Sequence, residues 1–542
     1  MRLLVLFIAI AITLANAYNG GCGTLNVLQN QTKRKHTAYA SKAYNSEKCD
    51  YDKYYDSVYT IKTEHIQVFY VLKGPHATTK AFADSTAKSM EEAWKFYVSK
   101  LQMRAPQGPS ITHHFEQKVE NGLYPVEIID IGLIRDYYND YQCSACFGLT
   151  IPIEENTKTQ IFMENDFYYG SSQSSSKGAI IVDEDTCYYG KSTIPLRNKA
   201  HNYSYTDEWA KAIRLTSFHE FYHAVQLRYL NKIVSSNIFW FEASATGYEE
   251  ITNPEIDDYF SYLPNFFSDM GVPLSKEVLN NKHKIYGVST LFLYLYNKVS
   301  KDIDKSIWEN YSKAPNNPFE NQLDAALKKF KLNADSIFHD YSTLLAFSGE
   351  RSLFIPQKDW ITSDQSQWPS AIFYNEVSIK PEVESLAFKF YRTPRNYTEP
   401  DISDYLGKAT LVLFNDGKAS IHKIQSSKSL DSLAVALSTS DSSMWIFSRL
   451  GKSENIPITN KDSSPHAFPV PWKHGPLCFA PLPRDKKFIE IRNRRGDLVS
   501  QEKYDGTSLC LQEDQVKSMM APGIYRFRVG NKGKTTSFMV IY

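Results

Sequence analysis

The chain predicts an α+β domain, a small N-terminal sheet followed by a helical lobe, with all-β modules after it. Three observations carry this. Residues 61–183 alternate strand-like runs with one amphipathic helix. Residues 210–345 read as a succession of helices. Near 350–370 the helical period stops, and short alternating runs bounded by turn residues follow. The 542 residues suffice for more than one domain. With 42% hydrophobic and 14% aromatic residues the chain can bury sizeable cores, which excludes a disordered protein. A formal net charge of +1 gives no reason to expect nucleic acid or an anionic membrane as a partner.

Residues 1–17 have the physics of a signal peptide: one basic residue, an apolar run, and Ala15-Asn-Ala17 before Tyr18. The run is too short for a stable membrane span, so the mature chain is expected to be exported, with no membrane span. Cys22, Cys49, Cys143, Cys146, Cys187, Cys478 and Cys510 fit an oxidising compartment. Cys22–Cys49 and Cys478–Cys510 are the local pairs to expect. Cys143-Ser-Ala-Cys146 favours a loop-stapling disulfide, with Cys187 as a further participant, over a redox motif. Residues 18–60 are polar and read as an N-terminal extension, with Lys33, Arg34 and Lys35 as a solvated charge run.

Strands are expected at 64–72, 124–131, 160–163 and 179–183, where apolar and β-branched residues alternate or cluster. Residues 78–101 form a helix with core positions Phe82, Ala87, Met90, Ala93, Trp94 and Tyr97, closed off by Pro106. An edge strand of such a sheet can hold an extended peptide by main-chain hydrogen bonds.

The central motif is Ser217-Phe-His-Glu-Phe-Tyr-His-Ala-Val-Gln226, which contains H-E-x-x-H. Its surroundings are good helix formers without Pro or Gly. On an α-helix, His219 and His223 lie about 40° apart around the axis, so both imidazoles reach one metal ion. Glu220 can then reach a water on that metal without being a ligand, the zinc-hydrolase arrangement. A catalytic zinc needs a third protein ligand. Glu242 follows 19 residues after His223, set among Phe239, Trp240, Phe241 and Ala243, where an unpaired acid is costly.

H-E-x-x-H followed by the segment Trp240-Phe-Glu-Ala-Ser-Ala245 resembles the gluzincin metallopeptidases. The wider run "EEAWKFYV", "YPVEIIDI", "GLTIP", "AIIVDED", "FHEFYHAVQ" and "WFEASATGYEE" is similar to a family of secreted bacterial metallopeptidases within that group, over roughly residues 60–350. The resemblance implies an α+β zincin-like catalytic domain at 61–355. It implies Zn²⁺ held by His219, His223 and Glu242. Glu249, seven residues on and two turns along the same face, matches an acid that orients a ligating His. Residues 284–297 read as one helix, and Tyr286 at its head matches the tyrosine that stabilises the oxyanion. His283 is the alternative donor.

The helical lobe continues at 302–311, 320–329 and 334–345. Strands are then expected at 385–391, 409–414, 419–424, 433–437 and 444–447, with Asn415-Asp-Gly417 as a tight turn. They predict a β-sandwich-like domain at 370–460. Residues 465–483 are Pro-rich and read as a linker. A small C-terminal β module is expected at 485–542. Its ending, "APGIYRFRVG" to "FMVIY", is similar to bacterial sorting domains that direct secretion and cell-surface attachment; a stabilising or carbohydrate-binding module is the other reading.

The function expected from this is a secreted zinc metalloendopeptidase acting on a protein or peptide substrate. Glu220 serves as general base towards zinc-activated water. A zinc aminopeptidase is the first alternative, although no G-A-M-E-N-like segment precedes the motif. A catalytically silent surface adhesin that uses its β modules is the second.

Overall fold

In the computed structural model, the described residues are 55–542 except 56, 134–144, 154–157, 170–175, 183–184, 199–200, 231–237, 277–282, 375–380, 394–399, 401, 403–404, 426–428, 430–431, 452–464, 469–471, 481, 484–487, 505–508 and 531–534. The expected signal peptide, nearly all of the extension, and Cys22, Cys49 and Cys143 lie outside them. No helix among the described residues is long and apolar enough to cross a membrane. The chain divides into two compact units, Met1–Lys452 and Ser453–Tyr542.

The first unit is built on a five-stranded sheet. Its strands are β1 (Val58–Lys62), β2 (Ile66–Val71), β3 (Tyr124–Ile129), β4 (Gly148–Ile153) and β5 (Lys158–Glu164). Their order is β1-β2-β3-β5-β4. The inner pairs β2–β3 and β3–β5 are parallel, and both edge pairs are antiparallel. Parallel strands are covered on both faces, which explains why β2 and β3 are buried along their whole length. Side chains alternate between two cores. Val68, Val126 and Ile161 face the helices. Phe69, Ile129 and Phe162 face the opposite core with Leu149 and Ile151.

Helix α1 (Lys80–Trp94) starts at Thr79, whose hydroxyl accepts from the Phe82 N–H at 3.1 Å. It buries Phe82, Ala87, Met90, Ala93 and Trp94 and runs on through a π-helical turn, Lys95–Lys100, that buries Tyr97. All six expected core positions are therefore inside. Of the strand expected at 179–183, the described residues 179–182 do not join the main sheet. They belong to β6 (Ser176–Val182), which among the described residues pairs only with β7 (Asp185–Lys191), and a short hairpin of β8 (Arg197–Asn198) and β9 (Tyr203–Ser204) follows. Cys146 and Cys187 are both disulfide-bonded.

Helix α2 (Trp209–Gln226) packs on α1 and on the sheet, and α3 (Ile238–Thr252) packs on α2. From Ala212 to Gln226 nearly every residue of α2 is buried, as its broad apolar surface requires. The lobe continues with α4 (Leu263–Ser268), α5 (Lys284–Gly287), α6 (Ser289–Tyr294), α7 (Ile303–Lys313), α8 (Phe319–Lys329) and α9 (Ala334–Ala346). The single helix expected at 284–297 is thus split at Val288, and its end, Leu295–Val299, is a π-helical turn.

The expected sandwich at 370–460 is instead one antiparallel sheet. Its strands are β10 (Ala387–Arg392), β11 (Lys408–Asn415), β12 (Lys418–Ile424) and β13 (Ser442–Arg449), in the order β10-β13-β11-β12. One face, with Phe388, Phe390, Val412, Met444 and Ile446, belongs to the same core as the helical lobe. Helix α9 covers it, and His339 bridges Ser448 and Thr410 at 2.7 Å each. Asp416 and Gly417 both take positive φ (48° and 71°), the two-residue turn that the Asp-Gly pair favours. Residues 433–437, expected as a strand, fall mostly in a short helix, α10 (Ala434–Thr439).

The second unit is where two sheets share one core. The supposed linker contributes β14 (His466–Phe468) and β15 (Leu477–Ala480). These continue into β16 (Phe488–Asn493), β17 (Leu498–Lys503), β18 (Leu509–Leu511), the short helix α11 (Glu513–Met519), β19 (Gly523–Val529) and β20 (Thr536–Val540). The sheets are β14-β15-β18 and β17-β16-β19-β20. Trp472, Phe479, Ile491, Phe527 and Phe538 lie in the core between them. Cys478 and Cys510, directly paired across β15 and β18, form the expected disulfide.

Candidate metal centre

His219 and His223 project from one face of α2, as their four-residue spacing dictates. Glu242, on the second turn of α3, meets them. His223 Nε2 lies 2.9 Å from His219 Nε2, and Glu242 Oε2 lies 3.2 Å and 3.6 Å from the two nitrogens. All three residues are buried, and together they form a cluster able to hold a metal ion.

The partners of the imidazoles fix which atoms face inward. Gln226 Nε2 donates to the Phe241 carbonyl at 3.1 Å and to Ser244 Oγ at 3.0 Å. Its Oε1 must therefore accept, and it takes the His223 Nδ1–H at 2.7 Å. Glu249 accepts from His219 Nδ1. Both Nε2 atoms then carry lone pairs, and they converge with a carboxylate oxygen on one point. Three acceptors with no proton between them repel one another unless a cation sits among them. Tetrahedral zinc with ligand bonds of 2.0–2.1 Å sets its donors about 3.3 Å apart, which the three separations straddle. Glu242 Oε1 is buried and finds no hydrogen-bond partner among the described residues. The donor set fits a zinc ion.

Burial pushes the Glu242 carboxyl up, but His223 and His219, when protonated, outweigh it and hold it down to about 2; a cation between neutral imidazoles would act in the same direction. Burial raises Glu249; His219 opposes that shift, while the Glu242 and Glu220 carboxylates add to it.

Glu220 lines the same cavity as His219 and is tied to the sheet. Thr150 Oγ1 on β4 lies 2.7 Å from Glu220 Oε2 and 2.8 Å from the Glu220 carbonyl oxygen, so its one proton is shared between them. Gly148 makes this approach possible. A Cβ there would stand 2.5 Å from Thr216 Cγ2 and 2.6 Å from Glu220 Cγ.

A small, half-open cavity lies beside the cluster. His219 and Glu220 line it, with Glu249, Asp258, Tyr262 and Tyr286. Tyr286 is 5% exposed, and its ring centroid is 6.5 Å from that of His219. Tyr262 stacks on Tyr286 at 4.8 Å, and His283 stacks on Tyr262 at 6.2 Å.

His219, Glu220, His223, Glu242, Glu249 and Tyr286 therefore lie around one buried cluster. Sequence reading missed Thr150, Gln226 and Asp258. Gln226 had a readable signal, three residues after His223 and hence on the same helix face. Thr150 and Asp258 reach the site from separate segments and left none.

No family model matches the chain, and no curated protein matches it. Among solved structures, one with a partial likeness is that of PorZ, described as an essential bacterial surface component of the type-IX secretion system of Porphyromonas gingivalis. The likeness covers 18% of this chain and 14% of that one, at 19% identity and a TM-score of 0.14. It carries no argument about this chain.

Proposed function

We propose that the chain is a secreted zinc metallopeptidase of the gluzincin type, with a zincin-like catalytic domain. The observation that carries the reading is the convergence of His219 Nε2, His223 Nε2 and Glu242 Oε2 on one point, with Glu242 Oε1 unpartnered among the described residues. His219, His223 and Glu242 would hold the ion. Bound there, zinc supplies Lewis-acid polarisation of a peptide carbonyl and acidification of water.

The chain's own residues do the rest. Thr150 holds Oε2 of Glu220, and Glu220 takes the proton from the attacking water and passes it to the leaving amine. Tyr286 donates to the developing oxyanion from the cavity wall. Glu249 and Gln226 keep the imidazoles turned inward. The edge strand β4 offers main-chain groups to an extended peptide. Export fits the disulfides.

The test is metal content by mass spectrometry on the wild type, His223→Ala and Glu220→Gln, with casein cleavage on the same samples. One zinc per chain is expected in the wild type and in Glu220→Gln, and none in His223→Ala. Cleavage is expected from the wild type alone. Turnover by Glu220→Gln, or zinc retained by His223→Ala, would overturn the proposal.

A further inference from the structure

The cavity beside the candidate metal centre holds more carboxyl groups than the proposed reaction uses. Three carboxylates line it, those of Glu220, Glu249 and Asp258. Glu249 is engaged by His219 and Glu220 by Thr150. Asp258 has neither a catalytic nor a metal-orienting task. It is 7% exposed and sits where the chain turns after α3, behind Asp257 in the left-handed conformation (φ 52°). Its Oδ1 accepts from Asn198 Nδ2 at 3.0 Å and from the Tyr205 hydroxyl. The hairpin of β8 and β9 delivers both donors, and both are neutral.

No Lys or Arg lines the cavity among the described residues, and none pairs with Asp258. A buried carboxylate next to a second carboxylate, with neutral donors only, lacks its natural partner. Burial, and then Glu249, push its carboxyl upward accordingly. The same cavity is lined by two aromatic rings, Tyr262 and Tyr286, stacked 4.8 Å apart with 25° between their planes. An acid next to electron-rich rings is the chemistry that recognises a cation. The charge of a bound zinc is offset by Glu242 and Glu220, so it leaves the Asp258 end of the cavity acidic.

We infer that Asp258 is a specificity-determining residue that receives a cationic group of the substrate, an ammonium or guanidinium, in the cavity beside Tyr262 and Tyr286. This rests on the cavity's being the substrate site of the proposed peptidase. The group comes either from a free N-terminal amine or from a Lys or Arg side chain. The two sources share the same chemistry at Asp258.

The experiment is calorimetric binding at neutral pH to the zinc-supplemented full chain, with four probes. They are L-argininamide, N-acetyl-L-argininamide, L-leucinamide and N-acetyl-L-leucinamide. At least one cationic probe should bind about tenfold tighter than N-acetyl-L-leucinamide, the worth of one charge-assisted contact. Asp258→Asn keeps the shape and still accepts from Tyr205, and it should bring that ratio to within about twofold. Preference for N-acetyl-L-argininamide assigns a basic side chain, and preference for L-leucinamide assigns the α-amine. Equal binding of all four, or a preference that survives in folded Asp258→Asn, overturns the inference. If Asp258→Asn does not fold, the wild-type ranking alone decides. Zinc content and casein cleavage on the same wild-type sample keep the two ideas apart. Zinc and cleavage without cation preference sink this inference only. Cation preference without zinc sinks the peptidase and leaves the cation site standing.

Discussion

At the scale of single residues, the proposed metal centre depends as much on what turns the imidazoles as on the imidazoles themselves. Gln226 is the clearest case. Its amide is pinned on one side by the Phe241 carbonyl and Ser244 and on the other holds the His223 Nδ1–H. Gln226→Leu keeps the volume and the helix but frees the ring to rotate and to take the other tautomer. Partners of this kind are worth about 10–100-fold in metal affinity. We expect Gln226→Leu to bind zinc that much more weakly in competition with a chromophoric chelator, with unchanged helical content. An unaltered affinity would reduce Gln226 to a packing residue. How much of this was legible follows from chain distance. His219, Glu220 and His223 declare themselves through one helical turn, and Glu249 through two turns from Glu242. Thr150 lies 70 residues from Glu220, and only the folded sheet brings them together.

At the scale of elements, two contacts decide whether the helices present the site. The first is the approach of β4 to α2 at Gly148. Gly148→Val would drive its side chain into Thr216 and Glu220, and overpacking of this sort costs about 1–3 kcal/mol. It would also push Thr150 away from Glu220, so stability and turnover should fall together while zinc content stays at one per chain. Loss of zinc instead would mean that α2 itself had moved. The second contact is Asp304 near the start of α7. It is fully buried and accepts from Tyr222 of α2 and from Trp240 Nε1 of α3 at 3.0 Å. Burial raises its carboxyl to about 7, against the hydrogen bonds that lower it. A raised carboxyl favours folding while it is protonated, so this stabilisation is complete below about pH 4 and is lost as pH climbs through 7. The whole swing is on the order of 4 kcal/mol. Asp304→Asn can accept from Trp240 and donate to Tyr222, so it should flatten the loss of stability between pH 5 and pH 8 seen in urea titrations of the wild type. A wild-type slope that persists in Asp304→Asn would assign it to other groups. The elements also show where pattern reading failed. Leu433-Ala-Val-Ala-Leu437 alternates like a strand, yet it is too short to separate the two periods, and the helix that forms there buries none of its residues.

At the scale of the whole molecule, the β-rich half was legible in its strands but not in its layers. Apolar residues on both faces of β11 and β13 look the same whether the covering layer is a sheet or a helix. Here α9 covers one face, so β10 to β13 belong with the unit that carries the His219–His223–Glu242 cluster. The layer partner was invisible because His339 meets Thr410 and Ser448 across 71 and 109 residues. The sandwich lies further on, partly in a stretch whose prolines suggested a linker. Its core of Trp472, Phe479, Phe527 and Phe538 shares no residue with the core around the metal centre. Separate cores imply separate unfolding, and the Cys478–Cys510 disulfide offers a way to perturb one alone. It joins residues 32 positions apart, and closing a loop of that size stabilises by roughly 4 kcal/mol in the chain-entropy account. Replacing both cysteines by serine should therefore accelerate amide hydrogen exchange throughout Ser453–Tyr542. Exchange in α2 and α3, and zinc content with it, should stay at wild-type values. Equal acceleration in α2 would show that the two cores open as one cooperative structure, and that the C-terminal sandwich is part of what keeps His219, His223 and Glu242 together.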